Sequence, residues 1–377
     1  MTADTFPGRL GLQQRVIPSY RALFLDTLAN SCEKGLSVFA GKPLPDEGIE
    51  TVESLRSAKL VQAKNRHLFN PGSALFLCWQ SGFLDWLEDW QPDALIVEAN
   101  PRYPVTRGAI KWMHDRGRKV MGWGLGAPSI NGPLSRFRRW ERSGLLRSLD
   151  AVIAYSQRGA EQYKQLGFPP ERVYVAFNAV DSAPTSPPPD KPVSPARRAK
   201  VLFIGRLQVR KRVDLLIRAC AALPPGLQPM VVIVGDGPAR SEFENLAARA
   251  YPSVEFVGSK HGTELEPYFS EADLFVLPGT GGLAIQQAMA HGLPVIVAHG
   301  DGTQDDLVQG ENGWQVPPDD LEALTDVLRR ALSDPERLRR MGNASYQIVK
   351  NEINVEKMVE VFIRALNDFN KASYISG

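Results

Sequence analysis

The sequence predicts an α/β protein built of two doubly wound, Rossmann-like domains, and three observations carry that reading. Short, nearly continuous apolar runs alternate with helix-length amphipathic runs along the whole chain, as in parallel sheets covered by helices on both faces. At 377 residues the chain is long for one hydrophobic core. A proline-dense run near its middle, DSAPTSPPPDKPVSPARRAK (Asp181 to Lys200), has too few large apolar side chains to fold alone. It reads as a linker with polyproline character over 181–200. The expected domains are then 1–180 and 201–354, with a final helical segment, 355–377, free to pack back on the first.

The elements follow in order. In the first half the strand candidates are LGLQQRV, LSVFAG, DALIVEA, KVMGWGL, DAVIAYS and RVYVAFN; in the second they are KVLFIGRL, MVVIVGDG, VEFVGS, DLFVLPG and LPVIVAHG. Between them, runs such as RVDLLIRACAAL and EALTDVLRRAL repeat apolar residues at helical spacing. Ligands of such sheets gather outside the carboxyl ends of the strands, so the loops that follow the strands hold the candidate site residues.

Composition limits the classes of function. A hydrophobic fraction of 43% and a charged fraction of 23% are those of a soluble globular protein. A net charge of +2 gives no general affinity for nucleic acid, and none is expected as a partner. The three cysteines are far apart and form no CxxC pair, which fits a reducing compartment. The opening MTADTFPGRLGLQQRV lacks the apolar core of a signal peptide, and no apolar run is long enough to span a bilayer. A cytoplasmic protein is therefore expected. The five histidines show no metal-ligand spacing, so neither a metal nor a resident cofactor is expected.

Two loops in the second half stand out. After VLFIG comes RLQVRKRVD, which puts Arg206, Arg210, Lys211 and Arg212 in a loop and the start of a helix. Cations oppose the helix macrodipole there, and an anion such as a diphosphate would reconcile the two; a solvated basic turn is the plainer alternative. The second loop, Gly279-Thr280-Gly281-Gly282, leads from DLFVL into the helix LAIQQAMAHG. Its glycines allow close backbone approach, and the helix start offers unpaired N–H donors.

The first half offers weaker candidates for binding a second substrate. They are Ser19 and Arg21 in RVIPSYRALFLDTLA, and Glu98, Asn100 and Arg102 in VEANPRYP; strand ends that need only hydrogen-bonded caps would look the same. The segment SRFRRWERSGLLRSL, 135–149, sets Phe137, Trp140, Leu145 and Leu146 among five arginines. Such a helix can lie on an anionic membrane surface, here the inner face of a membrane, or simply cover the sheet with its arginines in water.

The motifs GRLQVRKRVDLLI, VVIVGDGPARSEFENLA, VEFVGS, ELEPYFSEADLFVLPG, GLAIQQAMAHGLPVIV, NGWQVPPDDLEALTDVL and NAVD together resemble the family 4 retaining glycosyltransferases of GT-B fold. The resemblance implies two Rossmann-like domains facing each other across a cleft, and metal-independent transfer of a sugar from a nucleotide-sugar with retained anomeric configuration. It implies that Arg206 and Lys211 neutralise the donor diphosphate as the leaving group departs. It also implies that Gly258 lies near the base, and that Thr280, Gly281, Gly282 and Leu283 lie against the sugar and diphosphate. The family's two donor-site glutamates fall on Gly279 and Gln287, and its histidine after the fourth strand falls on Leu125. Gln287 keeps a carbonyl that can accept from a ribose hydroxyl, by a weaker, neutral bond.

The leading expectation is a hexosyltransferase-type enzyme whose acceptor is a glycan, a lipid-linked saccharide or a small molecule. One alternative is a non-catalytic nucleotide-binding subunit supporting a partner transferase. A nucleotide-sugar epimerase or hydrolase is another, but it requires acid/base groups that the glycine turn does not offer.

Overall fold

The computed structural model describes residues 4–375 apart from 48, 70–72, 74, 128–134, 189–196, 282 and 301. They form two compact units, Met1–Val180 with Val355–Gly377, and Asp181–Asn354.

The first unit has strands β1 (Leu10–Val16), β2 (Leu36–Gly41), β3 (Lys59–Gln62), β4 (Lys64–Leu68), β5 (Leu77–Ser81), β6 (Ala94–Glu98), β7 (Lys119–Gly124), β8 (Ala151–Ala154) and β9 (Val173–Val175). Its helices are α1 (Ala22–Asn30), α2 (Phe83–Trp90), α3 (Val105–His114), α4 (Ser135–Arg147) and α5 (Gln157–Gln165). Seven strands pair in the order β3-β2-β1-β6-β7-β8-β9, and β4 and β5 form a separate antiparallel pair. All pairings in the seven-stranded sheet are parallel. The strand order reverses direction between β1 and β6, which makes their carboxyl ends a topological switch point. Alternate residues serve opposite faces. Leu10, Leu12, Val38, Ile96 and Ile153 join the core on one face, and Leu95, Val97, Val120 and Val152 join that on the other.

The second unit has β10 (Lys200–Ile204), β11 (Met230–Val234), β12 (Val254–Gly258), β13 (Leu274–Leu277), β14 (Val295–Ala298) and β15 (Gly313–Val316). They form one parallel sheet in the order β12-β11-β10-β13-β14-β15, with its own switch point between β10 and β13. Its helices are α6 (Val213–Ala221), α7 (Arg240–Ala250), α8 (Glu266–Glu271), α9 (Leu283–Ala290), α10 (Thr303–Leu307), α11 (Leu321–Leu332) and α12 (Pro335–Asn351). The start of the proline-dense run is held on this unit, because Tyr346 Oη donates to the Ser186 carbonyl at 2.9 Å.

The last helix, α13 (Val355–Ile375), completes the core of the first unit. Phe362, fully buried, sets its ring 5.0 Å from Phe24 of α1 and 5.1 Å from Trp123 of β7, centroid to centroid.

Every strand read from the apolar runs is present, and four are additional. β3 and β4 leave their residues exposed or half-buried and carry charged side chains, and β5 buries Gln80 along with Cys78, so polar residues interrupt the apolar signal in all three. β15 is a four-residue edge strand that opens on Gly313.

Phe362→Ala removes a buried ring shared by two other aromatics, and such truncations cost about 3–5 kcal/mol. Urea unfolding is expected to show the first unit's transition at a lower midpoint and the second unit's transition unmoved.

Candidate functional site

The second unit's switch point is built from two loops that hold each other. β10 ends at Ile204, and the chain passes through Gly205 and Arg206 into a short 3-10 turn, Val209–Lys211. β13 ends at Leu277 and leads through Pro278 to the glycine turn before α9. Lys211 Nζ donates to the Thr280 carbonyl at 2.6 Å. Arg210 Nη1 donates to Thr280 Oγ1 at 3.1 Å, and the Thr280 N–H donates to the Arg210 carbonyl at 3.1 Å. Space is so limited that a Cβ at Gly279 would overlap the Arg210 carbonyl and the Lys211 backbone. Gly281, at φ +107°, would direct one onto Lys211 Nζ. The glycines are therefore required by the approach of Lys211 as well as by any ligand.

The four cations of RLQVRKRVD have different surroundings. Arg212, at φ +53°, is paired with Asp214 at 3.1 Å and with Asp319, and those carboxylates neutralise it. Lys211 and Arg210 have no carboxylate partner among the described residues. Burial, and then the neighbouring Arg210 charge, push the Lys211 ammonium down to about 8. Arg206 is exposed in the same loop. The basic cluster is thus no uniformly solvated turn: one member is spent on the fold, and one is half-buried with no carboxylate partner among the described residues.

The remaining donor candidates belong to the same unit. Gln304 of α10, fully buried, donates from Nε2 to the Gly281 carbonyl at 3.3 Å. Nothing in its sequence setting singled it out. Leu283 is the first residue of α9, and Gly282 lies outside the described residues. Gly258 ends β12 at φ +77° and accepts from the Gly235 N–H at 2.8 Å. Gln287, on the second turn of α9, hydrogen-bonds the Asp181 carboxylate, whose affinity for a proton is raised by burial. The backbone carbonyl of Gln287 lies 2.8 Å from His291 Nδ1. Asp181 closes the NAVD motif, yet its partnership with Gln287 spans too much sequence to be read from it.

In the first unit, the weaker candidates also fall at a switch point. Ser19 and Arg21 form the 3-10 turn after β1, and Glu98, Asn100 and Arg102 end β6 or follow it. Asn100 Oδ1 accepts from the Arg102 N–H at 3.1 Å, and the Ser19 N–H donates to the Glu50 carbonyl at 2.8 Å. Asn100 thereby caps the turn, and Ser19 is anchored through its backbone. Glu98 accepts from the Arg15 N–H at 2.7 Å, and burial raises its proton affinity. Arg21 is buried beneath three aromatic rings. Leu125, just past β7, is half exposed.

On α4 the rings of Phe137 and Trp140 lie 6.0 Å apart and are 59% and 61% exposed, while Leu145 and Leu146 are buried. Only the latter pair covers the sheet. Among the described residues no helix is long and apolar enough to cross a membrane, and no group of three or more His, Cys, Asp or Glu is placed to hold a metal.

Comparison with known proteins agrees with this architecture. Residues 38–183 match the sequence model of Glycosyltransferase Family 4, and residues 188–348 match that of Glycosyl transferases group 1. The sulfoquinovosyl transferase SQD2 of Arabidopsis thaliana is 32% identical over 163 residues, 42% of this chain and 30% of that protein. The glycogen synthase of Mycobacterium tuberculosis is 28% identical over 237 residues, 60% of this chain and 56% of that protein. The matches thus span about a third to just over half the length of these relatives. Among solved structures, Anabaena HepE in complex with UDP matches with a TM-score of 0.71 at 19% identity, over 96% of this chain and 99% of that one, a likeness of fold. One glycosyltransferase family model thus matches each half of the chain, and the chain shares the GT-B fold with solved neighbours over nearly its full length.

Proposed function

We propose that the protein is a retaining, metal-independent glycosyltransferase of hexosyltransferase type. It moves a sugar from a nucleotide-sugar to a glycan, a lipid-linked saccharide or a small molecule. The observation that carries this reading is the half-buried Lys211 ammonium, fixed to the Thr280 carbonyl and lacking a carboxylate partner among the described residues. It stands at the switch point where an α/β sheet receives its ligand. A diphosphate there would supply the missing negative charge, with Arg206 as the exposed second cation. As the bond between sugar and diphosphate breaks, charge grows on the leaving oxygens. Cations already held in place stabilise that charge without reorganising, and they fill the role a metal would take. Retention of configuration rests on the family resemblance. Because HepE was solved with UDP, UDP-sugars are the first donors to try.

One feature favours a second reading. With no room for a side chain at Gly279, that position offers the donor sugar only backbone. A chain that binds nucleotide and supports a partner transferase would tolerate this loss. Turnover separates the two readings: release of nucleotide from a donor marks an enzyme, and binding without release marks the subunit.

The exposed Phe137 and Trp140 among arginines support a further part of the proposal, peripheral contact of α4 with an anionic inner membrane face and hence a cytoplasmic location.

Four outcomes are expected. In a thermal-shift screen of UDP, GDP, ADP and their sugars, one nucleotide series raises the unfolding temperature by mass action; no shift from any of them overturns the donor assignment. Lys211→Ala lowers turnover about 10²–10³-fold, the usual cost of one preorganised charge-stabilising donor. In the native enzyme kcat/KM for the donor declines as pH rises through about 8, because the free enzyme then loses the cation, and Lys211→Arg removes that alkaline limb. In sedimentation assays the protein follows anionic vesicles in preference to neutral ones, and Phe137→Ser with Trp140→Ser abolishes the difference.

A further inference from the structure

Arg21 is the most unusual charge in the first unit. It is 5% exposed, yet its guanidinium has no hydrogen-bond or ion-pair partner among the described residues, and its Nη1 is a buried orphan donor. Its guanidinium carbon lies 4.7 Å from the Trp123 ring centroid, 5.3 Å from that of Tyr155 and 5.6 Å from that of Tyr20. Ring faces attract the cation but cannot accept its in-plane N–H groups. Glu98 contributes only a longer-range field; its own oxygens accept from the Arg15 N–H and from Tyr103. Trp123, 1% exposed, carries a second orphan, its indole Nε1.

Two unsatisfied donors on stacked neighbours are rare in a folded interior, where nearly every such group is bonded. They are fixed as well as unsatisfied. Trp123 packs on Phe24 and Phe362, and its carbonyl is bonded by the Ala99 N–H at 3.0 Å. Arg21 follows β1, and Trp123 lies in β7 beside Glu98, its partner in the register with β6. The pair therefore sits at the switch point of the first sheet.

We propose that Arg21 and the Trp123 indole form an oxyanion subsite in the first unit, which binds a carboxylate or phosphate on the molecule that receives the sugar. The inference rests on the glycosyltransferase reading and narrows its acceptor class to anionic ones. A guanidinium fork takes two oxygens of such a group at once, and the indole donates to one of them. Tyr20, 41% exposed, stands at the solvent side of the cation. A neutral sugar hydroxyl would leave the guanidinium charge as uncompensated as it is now.

The test reads the site itself. Two-dimensional 1H–15N spectra resolve indole N–H signals, and loss of one signal in Trp123→Phe identifies that of Trp123. Inorganic phosphate and glucuronate, titrated separately, are the probes. At least one is expected to shift the Trp123 signal saturably, and the one that does so identifies the oxyanion. Arg21→Gln is expected to abolish the shift, and Arg21→Lys, which keeps the charge without the fork, to need about tenfold more probe. A Trp123 signal unmoved by both probes overturns the subsite and leaves the two donors to internal water. So does a shift that persists unchanged in Arg21→Gln and Arg21→Lys. Donor turnover is measured in parallel: if it is absent while the shift persists, the enzyme reading fails and the anion subsite stands; the reverse result condemns the subsite alone.

Discussion

A half-buried ammonium bonded to a carbonyl, with no carboxylate beside it among the described residues, is the constraint on which the carboxyl end of the second sheet depends. Lys211 brings the loop after β10 against the glycine turn after β13, and three hydrogen bonds fix the two loops to each other. The glycines at 279 and 281 follow from that contact, since a side chain at either would displace Lys211. Taking an ammonium out of water costs several kcal/mol, whereas one hydrogen bond to a charged group returns about 1.5–3 kcal/mol. The difference appears as the lowered proton affinity of Lys211. An anionic ligand would restore it, and this charge imbalance is the physical basis of the proposed binding.

The two units share a plan and differ in their chemistry. Each has an all-parallel sheet whose strand order turns around at the first strand, and each carries an incompletely compensated cation just past that strand. In the second unit the cation is a compact ammonium on a flexible stem, bonded to a backbone carbonyl. In the first it is a planar guanidinium held by aromatic faces. The former suits a charge that must be followed as it grows, and the latter a group that must be held in one orientation.

Much of this was legible in the sequence. Buried parallel strands have both faces covered, so β2, β6 to β8 and most of the second sheet appear as nearly continuous apolar runs, while β1 buries Gln13 and Gln14 among its apolar residues. β3 to β5 and β15 lie at margins where one side meets water, and their polar residues hide them. The basic loop and the glycine turn could be found from composition, because both break ordinary rules for the start of a helix. Which arginine is spent on the fold could not. Arg212 is neutralised by Asp319, more than a hundred residues away in the chain, and only the folded structure brings the two together. The same holds for Gln304 beneath Gly281, and for Asp181 with Gln287. Arg21 was only one of several weak candidates in the first half, and what sets it apart is three rings contributed by separate segments.

The route of the chain has a consequence for biogenesis. The second unit is continuous in sequence, so all of its core residues are present once the chain has been made as far as Asn354. The first unit, although begun earlier, lacks Phe362 and the rest of the closing helix until the second unit has been made. During that interval the ring cluster around Phe24 and Trp123 stays open on one side, an apolar surface of the kind that recruits chaperones.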